Sequence, residues 1–182
     1  MKERDFKIYR GDDERGELVS YKCNVSEGMV VLDVIHRIQA DQANDLACRW
    51  NCKAGKCGSC SVEINGKPRL ACMTRMNELE EDKTVVITPL KSFPVIKDIV
   101  TDVSWNYEQN QKIKPFSPSK EDTEKGFVMM QKDVDRVQHF RKCIECYLCQ
   151  NMCHVIRDNE GCLLYTSDAA DDTPCVDLGG RR

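Results

Sequence analysis

Four cysteines, Cys52, Cys57, Cys60 and Cys72, stand in the order C-x4-C-x2-C-x11-C. A fold that uses all four must bring three thiolates off one tight loop and the fourth from a neighbouring strand. The spacing is that of plant-type [2Fe-2S] ligands. Gly55 and Gly58 lie inside the loop, where backbone has to pass closely around inorganic sulfide. Ahead of Cys72 stands Asn65-Gly66, a strong hairpin signal that turns the chain back toward the loop. A second run, Cys143-x2-Cys146-x2-Cys149-x3-Cys153, has the bacterial ferredoxin spacing, in which the fourth cysteine serves a different cluster from the first three. Two unlike iron–sulfur signatures in one short chain point to an electron relay.

The 182 residues suffice for one domain and a piece of another. No apolar stretch approaches the ~20 residues needed to cross a bilayer; Met29 to Ile38 is interrupted by Asp33, His36 and Arg37. The start, Met-Lys-Glu-Arg-Asp, has no hydrophobic core behind it, so no secretory signal is expected and the cytoplasm is the default compartment. In that setting twelve cysteines bunched at ligand spacing read as metal binding rather than disulfides. A formal charge of −3 argues against nucleic acid as a partner.

Phe6 and Ile8, then Tyr21, Cys23 and Val25, alternate with polar residues around a Gly11–Gly16 turn and predict an N-terminal hairpin. Val31, Leu32, Val34, Ile35 and Ile38 fall at helical spacing, with Ser26 as a candidate cap. After the cysteine loop come a Val62–Ile64 and Arg69–Cys72 hairpin and a strand over Thr84–Thr88. This order predicts an α+β fold whose first domain, 1–92, is a β-grasp, ferredoxin-like sheet wrapped on one helix. Pro94 is placed to open a second helix carrying Ile96, Ile99, Val100, Val103 and Tyr107 on one stripe. Lys112–Gly126 reads as a linker, making 93–126 a connecting segment. Met130, Val134, Val137 and Phe140 predict an amphipathic helix opening an incomplete α-helical ferredoxin-like domain over 127–160.

Thiolates suit iron–sulfur clusters because iron bound to sulfide prefers soft donors. Zinc is the competing occupant, but it favours paired C-x2-C knuckles rather than a lone C-x4-C-x2-C with a distant fourth ligand. Cys23 is expected to be a buried small hydrophobe, and Cys48 to sit beside the loop without ligating. His36, His139 and His154 share no acid–base spacing, and no catalytic residue is identified. Trp50, Trp105 and the Met129-Met130 pair read as packing residues, with Trp50 placed to shield the first cluster. The Glu78–Lys83 run reads as a solvated turn.

Three stretches carry a family resemblance: Arg49-Trp-Asn-Cys52-Lys-Ala-Gly-Lys-Cys57-Gly-Ser-Cys60, Ile64-Asn-Gly-Lys-Pro-Arg-Leu70-Ala-Cys72-Met-Thr-Arg75, and Phe140-Arg-Lys-Cys143-Ile-Glu-Cys146-Tyr-Leu-Cys149-Gln-Asn-Met-Cys153-His-Val. They resemble the iron–sulfur subunit of succinate dehydrogenases and quinol:fumarate reductases, in its actinobacterial-like form, over about residues 4–160. Pro89–Val103 is similar to that family's following helix. The resemblance implies [2Fe-2S] on Cys52, Cys57, Cys60 and Cys72, [4Fe-4S] on Cys143, Cys146 and Cys149, and a first [3Fe-4S] ligand in Cys153. Further ligands for the last two clusters come, in the family, from a later cysteine segment that this sequence lacks. His154 stands where the ferredoxin run usually has proline. The resemblance also implies an FAD-containing flavoprotein partner, a membrane anchor or cytochrome b subunit, quinone as acceptor or donor, and a peripheral position on the cytoplasmic side of the cytoplasmic membrane. A stand-alone ferredoxin-type shuttle is the alternative, which a strongly acidic docking face would favour.

The end of the chain is set apart. Cys162–Asp171 and Val176–Arg182 resemble, in one frame, the translation of a transposase-type library adapter. Residues 161–182 are therefore expected to be non-native, Cys162 and Cys175 not to ligate, and the native sequence to break off near Asn159–Gly161.

Overall fold

The computed structural model describes residues 2–114, 126 and 130–154. Most of the expected linker and the whole adapter-like tail lie outside those residues. The alternation around Phe6 and Tyr21 folds into the hairpin of β1 (Lys2–Gly11) and β2 (Gly16–Val25), with Phe6 opposite Tyr21. β3 (Ser61–Ile64) and β4 (Lys67–Leu70) form the second hairpin. Asn65 and Gly66 both take positive φ, 51° and 74°, the combination a two-residue turn of matching twist requires. β5 (Val85–Thr88) then runs parallel to β1 and antiparallel to β3, closing a five-stranded sheet in the order β2-β1-β5-β3-β4.

One face of that sheet is apolar because side chains alternate along a strand. Phe6 and Ile8, Val62 and Ile64, Val85 and Ile87 are all buried on the core side against α1 (Val31–Asp41). The helix contributes Val31, Leu32, Val34, Ile35 and Ile38, as its spacing predicted. Its start differs from expectation. Ser26 is not the cap; the Asp33 carboxylate accepts the Val30 N–H at 3.0 Å. The N–H groups of Val31 and Leu32 are satisfied by the carbonyls of Thr74 and Ala71, at 2.9 and 3.0 Å. The open end of α1 is thus bonded to the chain on either side of Cys72, which fixes where the fourth thiol sits.

A second correction concerns Pro94–Tyr107. No helix opens at Pro94. Val95–Lys97 is β6 and Val100–Thr101 is β7, paired antiparallel, and α2 covers only Ser104–Gln111. The turn is made by Asp98, a residue with φ 53° and only 1% exposed. Its carboxylate accepts from the Gly11 N–H (2.9 Å), the Ala47 N–H (2.8 Å) and Arg10 Nε (3.1 Å), and its own N–H donates to the Gly11 carbonyl (2.6 Å). β-branched residues here serve a short hairpin held by one buried acid, so the apolar stripe never winds. Ile99 is buried, whereas Ile96 and Tyr107 are exposed.

α3 (Gln131–Arg141) forms as expected, and α4 (Leu148–Met152) follows the second cysteine run. Met130 and Val137 are exposed rather than core; the side chains of His139 and Phe140, and residue Met129, lie outside those described. Among the described residues no helix is long and apolar enough to cross a membrane.

Candidate metal centre

The first cysteine loop hangs between α1 and the β6–β7 hairpin. Gln39 Nε2 donates to the Leu46 carbonyl at 2.7 Å, and Asp98 holds Ala47. Arg49 Nη1 donates to the Thr101 carbonyl at 3.4 Å, and beyond these anchors the loop folds around its own thiols. The Sγ of Cys52 accepts the N–H groups of Ala54 (3.3 Å) and Lys56 (3.2 Å). The Sγ of Cys60 accepts the N–H of Cys72 (3.4 Å). Backbone donors of this kind tune sulfur ligands and the potential of what they hold.

The four thiols fall into two pairs, Cys52 with Cys57 and Cys60 with Cys72, in side-chain contact within each pair. Cys60 and Cys72 are buried, Cys52 and Cys57 partly exposed. Among the described residues no three His, Cys, Asp or Glu side chains converge closely enough to hold a single metal ion. Two pairs suit a centre of two irons with two protein ligands on each. The soft donor set, the N–H bonds to sulfur and the tight loop all fit such a group.

The pairs differ in acidity. Hydrogen bonding from Ser59 and around Cys52 draws the Cys57 thiol down to about 6, while burial pushes Cys60 up to about 12. Cys57 is then largely thiolate at neutral pH and Cys60 a thiol. After chelation of any bound metal, Cys57 is expected to alkylate with iodoacetamide well before Cys60 at pH 7, and to slow below about pH 6. Peptide mass spectrometry against time checks this; equal rates would contradict it. Burial holds the Cys48 thiol up at about 11, just ahead of the loop, and Cys23 is buried on β2.

Outside the loop, Trp50 is 47% exposed, so it is less a packing residue than an outer cover. Its ring meets His36 edge-on at 4.8 Å, and Lys53 Nζ lies 4.7 Å from its centroid. Burial and the nearby Lys53 charge lower the pKa of His36, keeping it a neutral packing group. Trp105, expected to pack, is exposed on α2. The Glu78–Lys83 run is exposed except for Leu79.

The second run sits directly against the first loop. Cys143 and Cys149 are exposed, Cys146 and Cys153 partly so. Glu145 and Tyr147 take left-handed backbone, φ 54° and 56°, on either side of Cys146. A small cavity of about 70 Å³ is lined by Cys57, Gly58 and Ser61 from one side and Cys146 and Tyr147 from the other. A Cβ added at Gly58, where φ is +68°, would lie 2.6 Å from the Ile144 carbonyl oxygen and 2.8 Å from Cys146 Cα. Gly58→Ala is therefore expected to cost roughly 1–3 kcal/mol and to unseat the second run. Proteolysis and amide exchange over residues 143–153 would read this, and unchanged protection would contradict it.

The sequence offers the eight cysteines as candidate ligands but not the residues that join the two runs: Ser61, Glu63, Asn106, Gln150 and Asn151. They carry no periodicity and no motif. A polar pair enclosed between Cys149 and Cys153 was the one available signal.

Residues 5–108 match the family described as 2Fe-2S iron–sulfur cluster binding domain. Over 157 residues the chain is 33% identical to succinate dehydrogenase [ubiquinone] iron–sulfur subunit 3, mitochondrial, of Arabidopsis thaliana, covering 82% of this chain and 50% of that protein. It is 32% identical to the corresponding mitochondrial subunit of Candida glabrata, covering 82% and 62%. A chain of the Mycobacterium smegmatis Sdh1 complex in the apo form superposes with a TM-score of 0.83 at 59% identity, covering 87% of this chain and 66% of that one. The chain thus spans about half to three-fifths of the curated relatives it matches.

Proposed function

The chain belongs to the 2Fe-2S iron–sulfur cluster binding domain family, and on that premise we propose that it is the electron-transfer iron–sulfur subunit of a succinate:quinone oxidoreductase or quinol:fumarate reductase. The observation that carries this reading is the 59% identity and TM-score of 0.83 with a chain of the Sdh1 complex. The mitochondrial relatives named as succinate dehydrogenase iron–sulfur subunits support it. The working division is a [2Fe-2S] domain over 1–92, a connecting segment over 93–126, the opening of a second ferredoxin-like domain over 127–160, and a non-native tail over 161–182.

In this reading Cys52, Cys57, Cys60 and Cys72 hold [2Fe-2S]. Cys143, Cys146 and Cys149 hold three corners of [4Fe-4S], and Cys153 begins the [3Fe-4S] site. The clusters supply one-electron carriers at fixed positions; the chain supplies thiolates, N–H bonds to sulfur and, at Cys60 and Cys72, a buried inner side. The flavoprotein subunit faces the first loop, and the membrane anchor with its quinone lies beyond the second. The chain is then peripheral to the membrane, on its cytoplasmic side, and turns over no substrate alone.

Anaerobic purification of the complex tests this. Iron, acid-labile sulfide and a paramagnetic signal on reduction are expected, with a flavoprotein co-purifying. A colourless preparation loaded with zinc would end the relay reading.

A further inference from the structure

The seam between the two cysteine runs is built from buried polar side chains. Asn151, between Cys149 and Cys153, is 3% exposed. Its Nδ2 donates to Glu63 Oε1 at 2.8 Å, and its Oδ1 accepts the backbone N–H of Ser92 at 3.0 Å. Donor and acceptor ends are both in use, so the amide has one orientation. Glu63 is likewise 3% exposed, on the β3 face opposite Val62 and Ile64, and Lys91 Nζ lies 3.1 Å from its other oxygen. The neighbouring Gln150 is also buried and accepts from Asn106 of α2 at 3.4 Å.

A third contact lies nearer the metal ligands. Ser61 Oγ, one residue after Cys60, is 2.8 Å from the Cys146 carbonyl oxygen and 2.8 Å from that of Gly58. A buried carboxylate in mid-strand is costly unless charge and hydrogen bonds meet it. The hydrophobic face of the sheet has no use for Glu63; its partners are Lys91 and, on the second run, Asn151.

We propose that Asn151, Glu63 and Ser61 form a clamp that fixes the second cysteine run against the first cysteine loop and so sets the spacing of the two electron carriers. This rests on reading both runs as iron–sulfur sites. The three are positioning residues: none ligates metal. Electron exchange falls steeply with separation, and a site left loose by its supporting residues loses function without losing its ligands.

The test uses the full-length subunit in its complex. Asn151→Leu leaves Glu63 Oε1 and the Ser92 N–H without their partner, Lys91 still facing the other carboxylate oxygen, and Asn151→Asp sets two acids against each other. Adding Glu63→Gln to Asn151→Asp restores the pair with donor and acceptor exchanged. Two readouts apply: exchange of amides 148–152, and relaxation of the first cluster's paramagnetic signal by the reduced second cluster. The single changes at Asn151 are expected to speed exchange about ten- to a hundred-fold and to weaken the coupling between clusters. The double change is expected to restore both, including any second-cluster signal lost in Asn151→Asp. Unchanged exchange and coupling in Asn151→Leu, or no recovery in the double variant, would overturn the clamp. Absence of iron and sulfide from the unsubstituted complex would instead overturn the relay reading, while the exchange arm still decides the clamp.

Discussion

Cys60→Ser is expected to abolish the first centre altogether. Cys60 is 5% exposed and its Sγ accepts the Cys72 N–H, so it forms the inner, dry half of the site. Serine offers a harder oxygen that stays protonated in such surroundings. Cys72→Ser is expected to do the same, because Cys72 shares that half of the site. Iron and acid-labile sulfide attributable to the first site should fall to background, with its visible absorption and paramagnetic signal. Cys23→Ser, on the far strand β2, should leave them intact. Full two-iron loading in both Cys60→Ser and Cys72→Ser would refute the ligand assignment.

Asp98→Ala should have the largest effect on stability, about 3–5 kcal/mol, because one guanidinium N–H and two backbone donors go unmet at once, while Asp45 and Tyr21 still hold the rest of Arg10. Arg10 Nε, the Gly11 N–H and the Ala47 N–H all lose their acceptor. Asp98→Asn keeps one acceptor oxygen and should lose less, about 1–3 kcal/mol. Denaturant midpoints of the metal-free chain read both. The holo protein carries a second consequence: Ala47 anchors the start of the cysteine loop, so cluster retention should shorten in Asp98→Ala beyond what the lost stability explains. A midpoint within error of the parent would show that Asp98 does not tie β1, the loop and the β6–β7 turn together.

The sequence was most legible where local chemistry and tertiary demand agree. Phe6 and Ile8 alternate because one face of β1 is core, and Asn65-Gly66 makes the turn its φ values allow. Cysteine spacing was readable because a cluster's size sets the loop that surrounds it. Pro94–Tyr107 was misread for a physical reason. Over so short a run, a stripe at helical spacing and a pair of two- and three-residue strands use the same β-branched residues. Asp98 decides between them through bonds to Gly11 and Ala47, remote in sequence. Ser26 failed as a cap for a similar reason: the first N–H groups of α1 find carbonyls from the Cys72 segment. Glu63 and Asn151 were opaque because each explains the other only once the second run lies on β3.

The parallel pairing of β1 with β5 places Phe6 beside Val85 and Ile8 beside Ile87. On the ribosome, then, the earliest strand must wait for nearly the last piece of its own domain to emerge. The cysteine loop leaves the exit tunnel inside that interval, so its thiols spend the wait unsheltered. Synthesis order thus leaves the loop open until the strand that closes the architecture around it has appeared.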